Sequence, residues 1–181
     1  MKNPIMSYNI YEFLNKLVRE GIIDLTNHNA YFGAGAIAGG IEFLGACLDE
    51  HAFDVERQSA ARFCHALNEL FPSKYRPFSR QRPFYQKFKP KHDLYSSLRC
   101  GMAHVCRPQG VFLTGSIKEA NRDGNSHLEI LELGKKQGPL IVVEQFAQDF
   151  DKAIEKLIDR LQRGDDLPPK LSGNILEVWN S

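Results

Sequence analysis

Apolar residues recur every three or four positions over long stretches of this chain, the spacing that gives an α-helix one buried face. This spacing predicts helices in five segments, namely 8–20, 30–50, 54–71, 94–106 and 144–163. The last segment is the clearest, because it ends at Gly164, a residue type common just after a helix. Its apolar face consists of Phe146, Phe150, Ile154, Leu157, Ile158 and Leu161. A chain dominated by such segments is expected to fold as a bundle of helices.

The spacing of apolar residues changes to every second position after the fourth predicted helix, which is typical of strands. Strands are predicted over 111–117 and 127–133, joined by the turn residues 121–125, and a third strand over 140–143. The predicted fold class is therefore mainly α, with a small β-hairpin or three-strand insertion at 111–143.

Length and composition indicate one domain. The chain has 181 residues, of which 43% are hydrophobic and 25% charged, and this excludes a wholly disordered or collagen-like protein. We predict a single helical domain over 1–164, which contains a basic loop at 72–92 and the β insertion at 111–143. Residues 165–181 form a C-terminal tail, whose apolar end is suited to docking on the body of the protein or on a partner.

The sequence carries no recognisable targeting signal. Its first residues run into a charged amphipathic stretch instead of the apolar core of a signal peptide. The longest uncharged run, 25–41, has 17 residues and is too short and too polar to span a bilayer. Four cysteines without a C-x-x-C pair are typical of reduced thiols. We therefore expect a cytoplasmic protein that does not bind a membrane.

Positive charge is concentrated in one segment. The formal charge of the whole chain is +1, but residues 73–91 carry seven basic side chains and no acidic one. These candidate nucleic-acid-binding residues are Lys74, Arg76, Arg80, Arg82, Lys87, Lys89 and Lys91. Aromatic residues are interleaved with them, and such a segment is suited to binding phosphates and stacking bases. The alternative is a solubilising loop whose aromatic side chains pack into the core.

The sequence contains no well-known motif for binding a cofactor or a metal ion. Glycines at 33–39 resemble a dinucleotide-binding fingerprint but follow no predicted strand, so close helix packing explains them better. Cys100, His104 and Cys106 are ligand types that zinc prefers, yet no fourth ligand stands at a convincing spacing. We predict no cofactor and no metal site. The five other histidines form no pattern that indicates a function.

The predicted helix 94–106 contains the most informative pair of residues. Its predicted buried face consists of Leu94, Leu98, Met102 and Val105. At 3.6 residues per turn, Arg99 and His104 lie on the opposite side, directed away from the bundle to solvent or to a partner subunit. Gly101 is costly inside a helix, which indicates that another backbone or a ligand comes close there.

The stretch from Leu94 to His104, Leu-Tyr-Ser-Ser-Leu-Arg-Cys-Gly-Met-Ala-His, resembles the R-x4–6-H signature helix of the HEPN superfamily of small helical-bundle proteins. Many HEPN proteins are metal-independent endoribonucleases that act as dimers, with two signature helices meeting in one cleft. The resemblance implies that Arg99 and His104 are the catalytic pair, that the chain forms a homodimer through this helix, and that it cleaves RNA. It also implies a protein of toxin or defence type, for which an antitoxin protein would be a further partner.

The chemistry suits these two residue types. RNA is cleaved by its own 2′-OH when a group of near-neutral pKa moves protons and a fixed cation stabilises the charge that develops on phosphorus. One position departs from the family, because active members often carry Asn, Asp or His directly after the arginine, where this chain has Cys100. The alternative is therefore a non-catalytic HEPN-like module that binds a nucleotide, RNA or a protein partner. A third interpretation is that the similarity is accidental and the helix face is only a dimer interface.

Overall fold

The computed structural model describes residues 6–81, 89–163 and 168–178. Helices account for most of these residues and the strands for a small part, so the predicted mainly α fold class is confirmed. Within the described ranges, the α-helices are Ile10–Glu12, Glu20–His28, Ala30–Leu48, Ser59–Glu69, Gly101–Val105, Ile117–Arg122 and Val143–Arg163. The π-helices of these ranges are Phe13–Arg19 and Tyr95–Cys100. The 3₁₀ turns there are Ser73–Phe78 and Pro169–Leu171.

The first helical stretch differs from the predicted helix 8–20 at both ends. Residues 10–28 are continuously helical, with a π-helical section between two α-helical ones. The stretch begins late because the Asn9 side chain caps it, accepting a hydrogen bond from the Glu12 N–H at 3.0 Å. It continues through Gly21, which was predicted to end it. A side chain at this glycine would meet nothing within 4 Å, so no packing constraint interrupts the helix there.

Helix Ala30–Leu48, here called the glycine helix, agrees with the predicted helix 30–50. Its glycines permit close packing, as predicted. A Cβ at Gly45 would lie 1.8 Å from the carbonyl oxygen of Arg62, and a Cβ at Gly40 would lie 2.5 Å from the ring of Phe150. The cost of glycine in a helix is thus offset by contacts that no larger residue would allow.

Helix Ser59–Glu69 begins later than the predicted helix 54–71. Arg57 has a left-handed φ of 63°, which an α-helix does not allow, so the helix begins after it. The buried side chain of Arg62 then binds the loop that precedes the helix. Its Nε donates to Asp49 Oδ2 at 2.6 Å, and one Nη donates to the Ala52 carbonyl at 2.6 Å.

The three predicted strands of the insertion are present as β2 (Phe112–Thr114), β3 (Ile130–Leu133) and β4 (Lys136–Val142). Their order in the sheet is β2-β4-β3, with β2 parallel and β3 antiparallel to β4. The prediction that a turn at 121–125 joins the first two strands as a hairpin was wrong, because β4 lies between them. Helix Ile117–Arg122 makes the connection, and Ser116 caps it by accepting the Glu119 N–H at 3.2 Å.

The two ends of the described chain pair with each other, which the sequence analysis did not predict. Strand β1 (Met6–Asn9) runs antiparallel to β5 (Asn174–Val178), with Tyr8 opposite Leu176. Leu171, just before β5, is buried in the core. Of the two predicted docking sites for the tail, the described part therefore uses the body of its own chain.

Helix Val143–Arg163, here called the C-terminal helix, agrees with the predicted helix 144–163. Phe146 and Phe150 are fully buried in the core that it forms with the glycine helix. At the exposed edge, Asp151 Oδ2 accepts a hydrogen bond at 2.9 Å from Nη2 of Arg19, which ties the first helical stretch to the C-terminal helix.

The glycine helix is also the one described helix whose length and composition would allow it to cross a membrane. It has 19 residues, an 18-residue stretch of it has a mean hydropathy of 1.4, and 56% of that stretch is buried inside the fold. Such burial is what the core helix of a bundle requires.

Candidate functional site

The helix predicted over 94–106 has two sections, Tyr95–Cys100 with π-helical and Gly101–Val105 with α-helical hydrogen bonds. Residues 95–105 are here called the motif helix. A π-helix joins residues five apart, so its side chains do not follow the 3.6-residue period used for the prediction. The change of period turns Arg99 toward the side of Leu94, which is fully buried.

Arg99 accordingly contacts its own bundle, and the prediction that it is directed away was wrong. Its side chain is 23% exposed, and its Nε lies 2.5 Å from Glu42 Oε2 on the glycine helix. This contact is an ion pair without an aligned hydrogen bond, because Oε2 is buried and accepts no N–H at a suitable angle. The ring of Tyr95 lies 6.0 Å from the guanidinium carbon. The terminal nitrogens of Arg99 donate no hydrogen bond within the described chain.

His104 lies on the exposed side of the motif helix, as predicted. Among the described residues its imidazole has neither an ion pair nor a hydrogen bond, so both ring nitrogens remain accessible. Val105, which was predicted to face the core, is 56% exposed. The helix ends directly after it, at Cys106 with a left-handed φ of 50°, and this turn lifts the last residues away from the core.

Gly101 is explained by a backbone of the same chain. A Cβ there would lie 2.6 Å from the carbonyl oxygen of Arg107 and 3.1 Å from Cα of Pro108. The Arg107 N–H also donates to the Gly101 carbonyl at 3.1 Å. The backbone that the sequence predicted to lie close to Gly101 is therefore the turn that follows the motif helix. This contact explains the glycine without a ligand or a partner subunit.

An open groove of about 320 Å³ separates the motif helix from the glycine helix. It is lined by Leu25, Phe32, Gly35, Ala36, Gly39, Arg99, Met102, Ala103 and Cys106. We call it the apolar groove, since Arg99 is the single charged residue among these. Phe32 at its edge is 52% exposed, and a Cβ at Gly39 would meet nothing within 4 Å. The groove thus combines a flat apolar surface with one cation.

Cys100, the residue that departs from the family pattern, contacts Tyr95. Burial raises the pKa of the Tyr95 hydroxyl to about 12, and a hydrogen bond with Cys100 acts in the same direction. Cys106 is exposed and is placed beyond the end of the motif helix. No group of three or more potential metal ligands occurs in the part of the chain that the structure describes.

In its described residues, 73–81 and 89–91, the basic segment is not one free cationic surface. Lys74 Nζ lies 2.6 Å from Asp149 Oδ2, and Arg80 Nη2 lies 2.7 Å from Asp93 Oδ2. Both cations are therefore engaged in ion pairs within the chain. The aromatic residues Tyr75 and Phe78 are buried, as the alternative interpretation of this segment expected.

The other predicted members of the basic segment differ in their surroundings. Lys91 donates a hydrogen bond to Gln137 Oε1. Arg76 and Lys89 are exposed and form no ion pair within the described ranges. Arg82 and Lys87 lie outside the described residues.

A buried polar network that the sequence analysis missed is centred on His127. The Val142 N–H donates to Nδ1 at 3.0 Å, so in the neutral ring the proton resides on Nε2. Nε2 lies 2.8 Å from the hydroxyl of Tyr75, which in turn donates to Asp149 Oδ2 at 2.9 Å. Lys74 binds the same carboxylate oxygen, and the chain of donors and acceptors is complete.

The environment of this network shifts the pKa values of two of its members, His127 and Tyr75. Burial, reinforced by the charge of Lys74, lowers the pKa of His127 to about 4, although Asp149 opposes the effect. Burial and the neighbouring Asp149 raise the pKa of Tyr75 well above its usual value. Because its donors and acceptors are paired with one another, this network is suited to holding strand β4 and the 3₁₀ turn Ser73–Phe78 together. Its members are 52 and 74 positions apart in the chain, so no local pattern could have revealed them.

Comparisons with known protein families, with curated protein sequences and with solved structures found no match for this chain. Membership of the HEPN superfamily therefore stays a prediction based on the residues of the motif helix.

Proposed function

We propose that this protein is a HEPN-like, metal-independent endoribonuclease of toxin or defence type that acts in the cytoplasm as a homodimer. The observation that supports this most directly is that one helix carries both side chains beside the apolar groove. Arg99, whose terminal nitrogens donate no hydrogen bond among the described residues, lines that groove, and the exposed His104 lies five positions further along the same helix. A second copy that covers the groove would add its own arginine and imidazole to this cation and base.

In the proposed reaction, the 2′-oxygen of a ribose attacks the adjacent phosphorus and the 5′-oxygen of the next nucleotide leaves. The His104 imidazole of one subunit accepts the 2′-OH proton, and the protonated imidazole of the other subunit gives a proton to the leaving oxygen. The products are a 2′,3′-cyclic phosphate and a 5′-hydroxyl, so no water or metal ion enters this step. The guanidinium of Arg99 stabilises the charge on the phosphoryl oxygens.

The dimer is needed because one subunit supplies one imidazole. A two-fold interface brings the same surface of both chains together, so that two motif helices meet when the apolar groove lies at the axis. Leu25 and Phe32 on the groove are 39% and 52% exposed, and large apolar side chains of this kind are typical of a covered surface. Glu42 supports the proposed role of Arg99, because it holds the Nε of the guanidinium and leaves the two terminal nitrogens to bind a phosphate.

The test is cleavage of a mixed RNA pool in EDTA by wild type, His104→Ala and Arg99→Ala. His28→Ala is the matched control, because the side chain of His28 is 75% exposed and lies on another helix. Circular dichroism establishes that each variant is folded. We expect cleavage by wild type and His28→Ala alone, with products that end in a cyclic phosphate. Equal cleavage by wild type and folded His104→Ala would contradict the proposal.

One observation favours the alternative of a non-catalytic module that binds a nucleotide, RNA or a protein partner such as an antitoxin. Cys100 stands where active family members often carry Asn, Asp or His directly after the arginine. If neither wild type nor any variant cleaves RNA, the same folded proteins are tested for binding to RNA and to nucleotides. Binding that depends on Arg99 without cleavage would support the module over the enzyme.

A further inference from the structure

The turn after the motif helix and the β3–β4 hairpin enclose an open groove of about 880 Å³ that the sequence analysis did not single out. Arg107 and Phe112 line one side, Lys135 and Lys136 line the other, and Tyr31 lies at the end nearest the motif helix. We call it the basic groove.

The charged residues that line the basic groove are all cations. No acidic residue is among its described lining residues. The side chains of Arg107, Lys135 and Lys136 are exposed, and in the described ranges none of them forms an ion pair or a side-chain hydrogen bond. The side chain of Gln137 accepts a hydrogen bond from Lys91 and donates one to Glu132, so one further cation and one carboxylate lie at the rim. Within the described residues the three lining cations have no paired carboxylate, in contrast to Lys74 and Arg80 of the basic segment, and they are therefore available to an anionic ligand.

Two aromatic side chains supply flat apolar surfaces between the cations. Tyr31 is 39% exposed, and its hydroxyl is fixed by a hydrogen bond of 2.5 Å to the carbonyl of Cys106. Phe112 on β2 is partly exposed. Lysine and arginine side chains along a groove with interspersed aromatic rings are the combination that binds single-stranded nucleic acid, through phosphate contacts and base stacking.

The basic groove adjoins the apolar groove at the end of the motif helix. Cys106 lines the apolar groove beside Ala103, and the next residue, Arg107, lines the basic groove. The hairpin is held against this turn, because a Cβ at Gly138 would lie 2.3 Å from the Gly110 carbonyl oxygen. The cations of the hairpin and of the turn therefore form one surface that ends at the motif helix.

We propose that the basic groove binds the phosphates of single-stranded RNA and leads the strand to Arg99 and His104. The inference rests on RNA being the ligand of the proposed function, but it does not require that the RNA be cleaved. It assigns RNA binding to Arg107, Lys135 and Lys136, none of which belongs to the basic segment predicted from the sequence.

The test is fluorescence anisotropy with a labelled 12-nucleotide single-stranded RNA in which every 2′-oxygen is methylated, so that it lacks the attacking hydroxyl. The groove variant is Lys135→Ala with Lys136→Ala. The matched control is Lys118→Ala with Lys152→Ala, which removes the same charge from exposed lysines outside the groove. A third variant, Arg76→Ala with Lys89→Ala, tests the basic segment.

Each lost phosphate contact on a single strand lowers the slope of log K against log salt by about 0.7. We therefore expect the groove variant to lose about 1.4 of this slope and to bind about 25-fold more weakly at 0.1 M salt, with the control unchanged. Phe112→Leu is expected to weaken binding without changing the salt slope, because it removes stacking and no charge.

The proposal is overturned if the groove variant binds RNA as tightly as the control, or if the basic-segment variant loses more affinity than the groove variant. Absence of RNA binding by wild type, or tighter binding of wild type to heparin than to RNA, would also overturn it. Absence of RNA cleavage is a separate result, which tests the nuclease and not the groove. If the groove variant loses RNA binding while wild type cleaves no RNA, the groove assignment stands and the nuclease does not.

Discussion

Arg99 Nε lies 2.5 Å from Glu42 Oε2, so the candidate catalytic arginine is attached to the helix that forms the other wall of the apolar groove. The two side chains are 23% and 19% exposed, and the pair is only partly screened by solvent. The same contact fixes the direction of the guanidinium, which links the packing of two helices to the geometry of the site.

We expect Glu42→Gln to lower the free energy of unfolding by about 1 kcal/mol and the RNA cleavage rate by about tenfold, because Arg99 loses its charged anchor. Urea denaturation and cleavage kinetics measure the two effects. Asp159→Asn is the control, since it breaks the exposed ion pair with Arg163, which spans 3.9 Å, and should change neither quantity. Faster cleavage by Glu42→Gln would mean that Glu42 inhibits Arg99 and would contradict its role as a positioning residue.

The buried imidazole of His127 predicts that stability falls in mild acid. Its pKa is about 4 in the folded protein and about 6.5 in the unfolded chain, so the unfolded state binds more protons between these values. Stability from this group is present above pH 6.5 and is lost as the pH falls toward 4. At 1.36 kcal/mol per pH unit, about 2 kcal/mol disappears between pH 6.5 and 5.

Urea denaturation of His127→Gln at several pH values tests this origin. The variant is expected to be less stable than wild type at pH 7 and to lack most of the decline between pH 6.5 and 5. The control His28→Gln alters a side chain that is 75% exposed and should retain the wild-type decline. An unchanged decline in His127→Gln would assign the acid sensitivity to other groups.

Long amphipathic patterns predicted the helices that surround the core and failed where hydrogen bonding departs from the α-helix. The glycine helix and the C-terminal helix were predicted to within two residues, because each has a continuous buried face. In the π-helical section 95–100, the side-chain period is longer than 3.6 residues. The predicted direction of Arg99 was wrong for this reason, whereas His104, in the α-helical section, is exposed as predicted.

Long-range contacts were beyond the sequence analysis. Strand β1 pairs with β5 at the other end of the described chain, and Arg99 contacts Glu42 on a different helix. Neither partner is marked by a local pattern. By contrast, helix Ile117–Arg122 carried a visible signal, because Ser116 and Glu119 have the spacing of a capping box.

Two helical glycines, Gly45 in the glycine helix and Gly21 in the first helical stretch, are expected to respond oppositely to substitution by alanine. At Gly45, a Cβ would lie 1.8 Å from a backbone oxygen of Arg62, so Gly45→Ala must push two helices apart and is expected to cost more than 3 kcal/mol, on the order of a severe overpacking. At Gly21, nothing lies within 4 Å, and Gly21→Ala should stabilise the protein by about 0.5–1 kcal/mol through helix propensity. Thermal and urea unfolding measure both. Equal stability of the two variants would contradict the packing described for the glycine helix.

The proposed dimer predicts that a charge in the apolar groove separates the subunits without unfolding them. Gly39 lines the groove and has open space beyond it, so Gly39→Glu leaves the folded monomer intact but buries a carboxylate in the proposed interface. We expect wild type to be a dimer and Gly39→Glu a monomer in size-exclusion chromatography with light scattering at micromolar concentration. Gly21→Glu, at a helical glycine outside the groove with equally open surroundings, should stay dimeric. A Gly39→Glu dimer would remove the apolar groove as the interface, and a wild-type monomer would also remove the second imidazole that the proposed reaction requires.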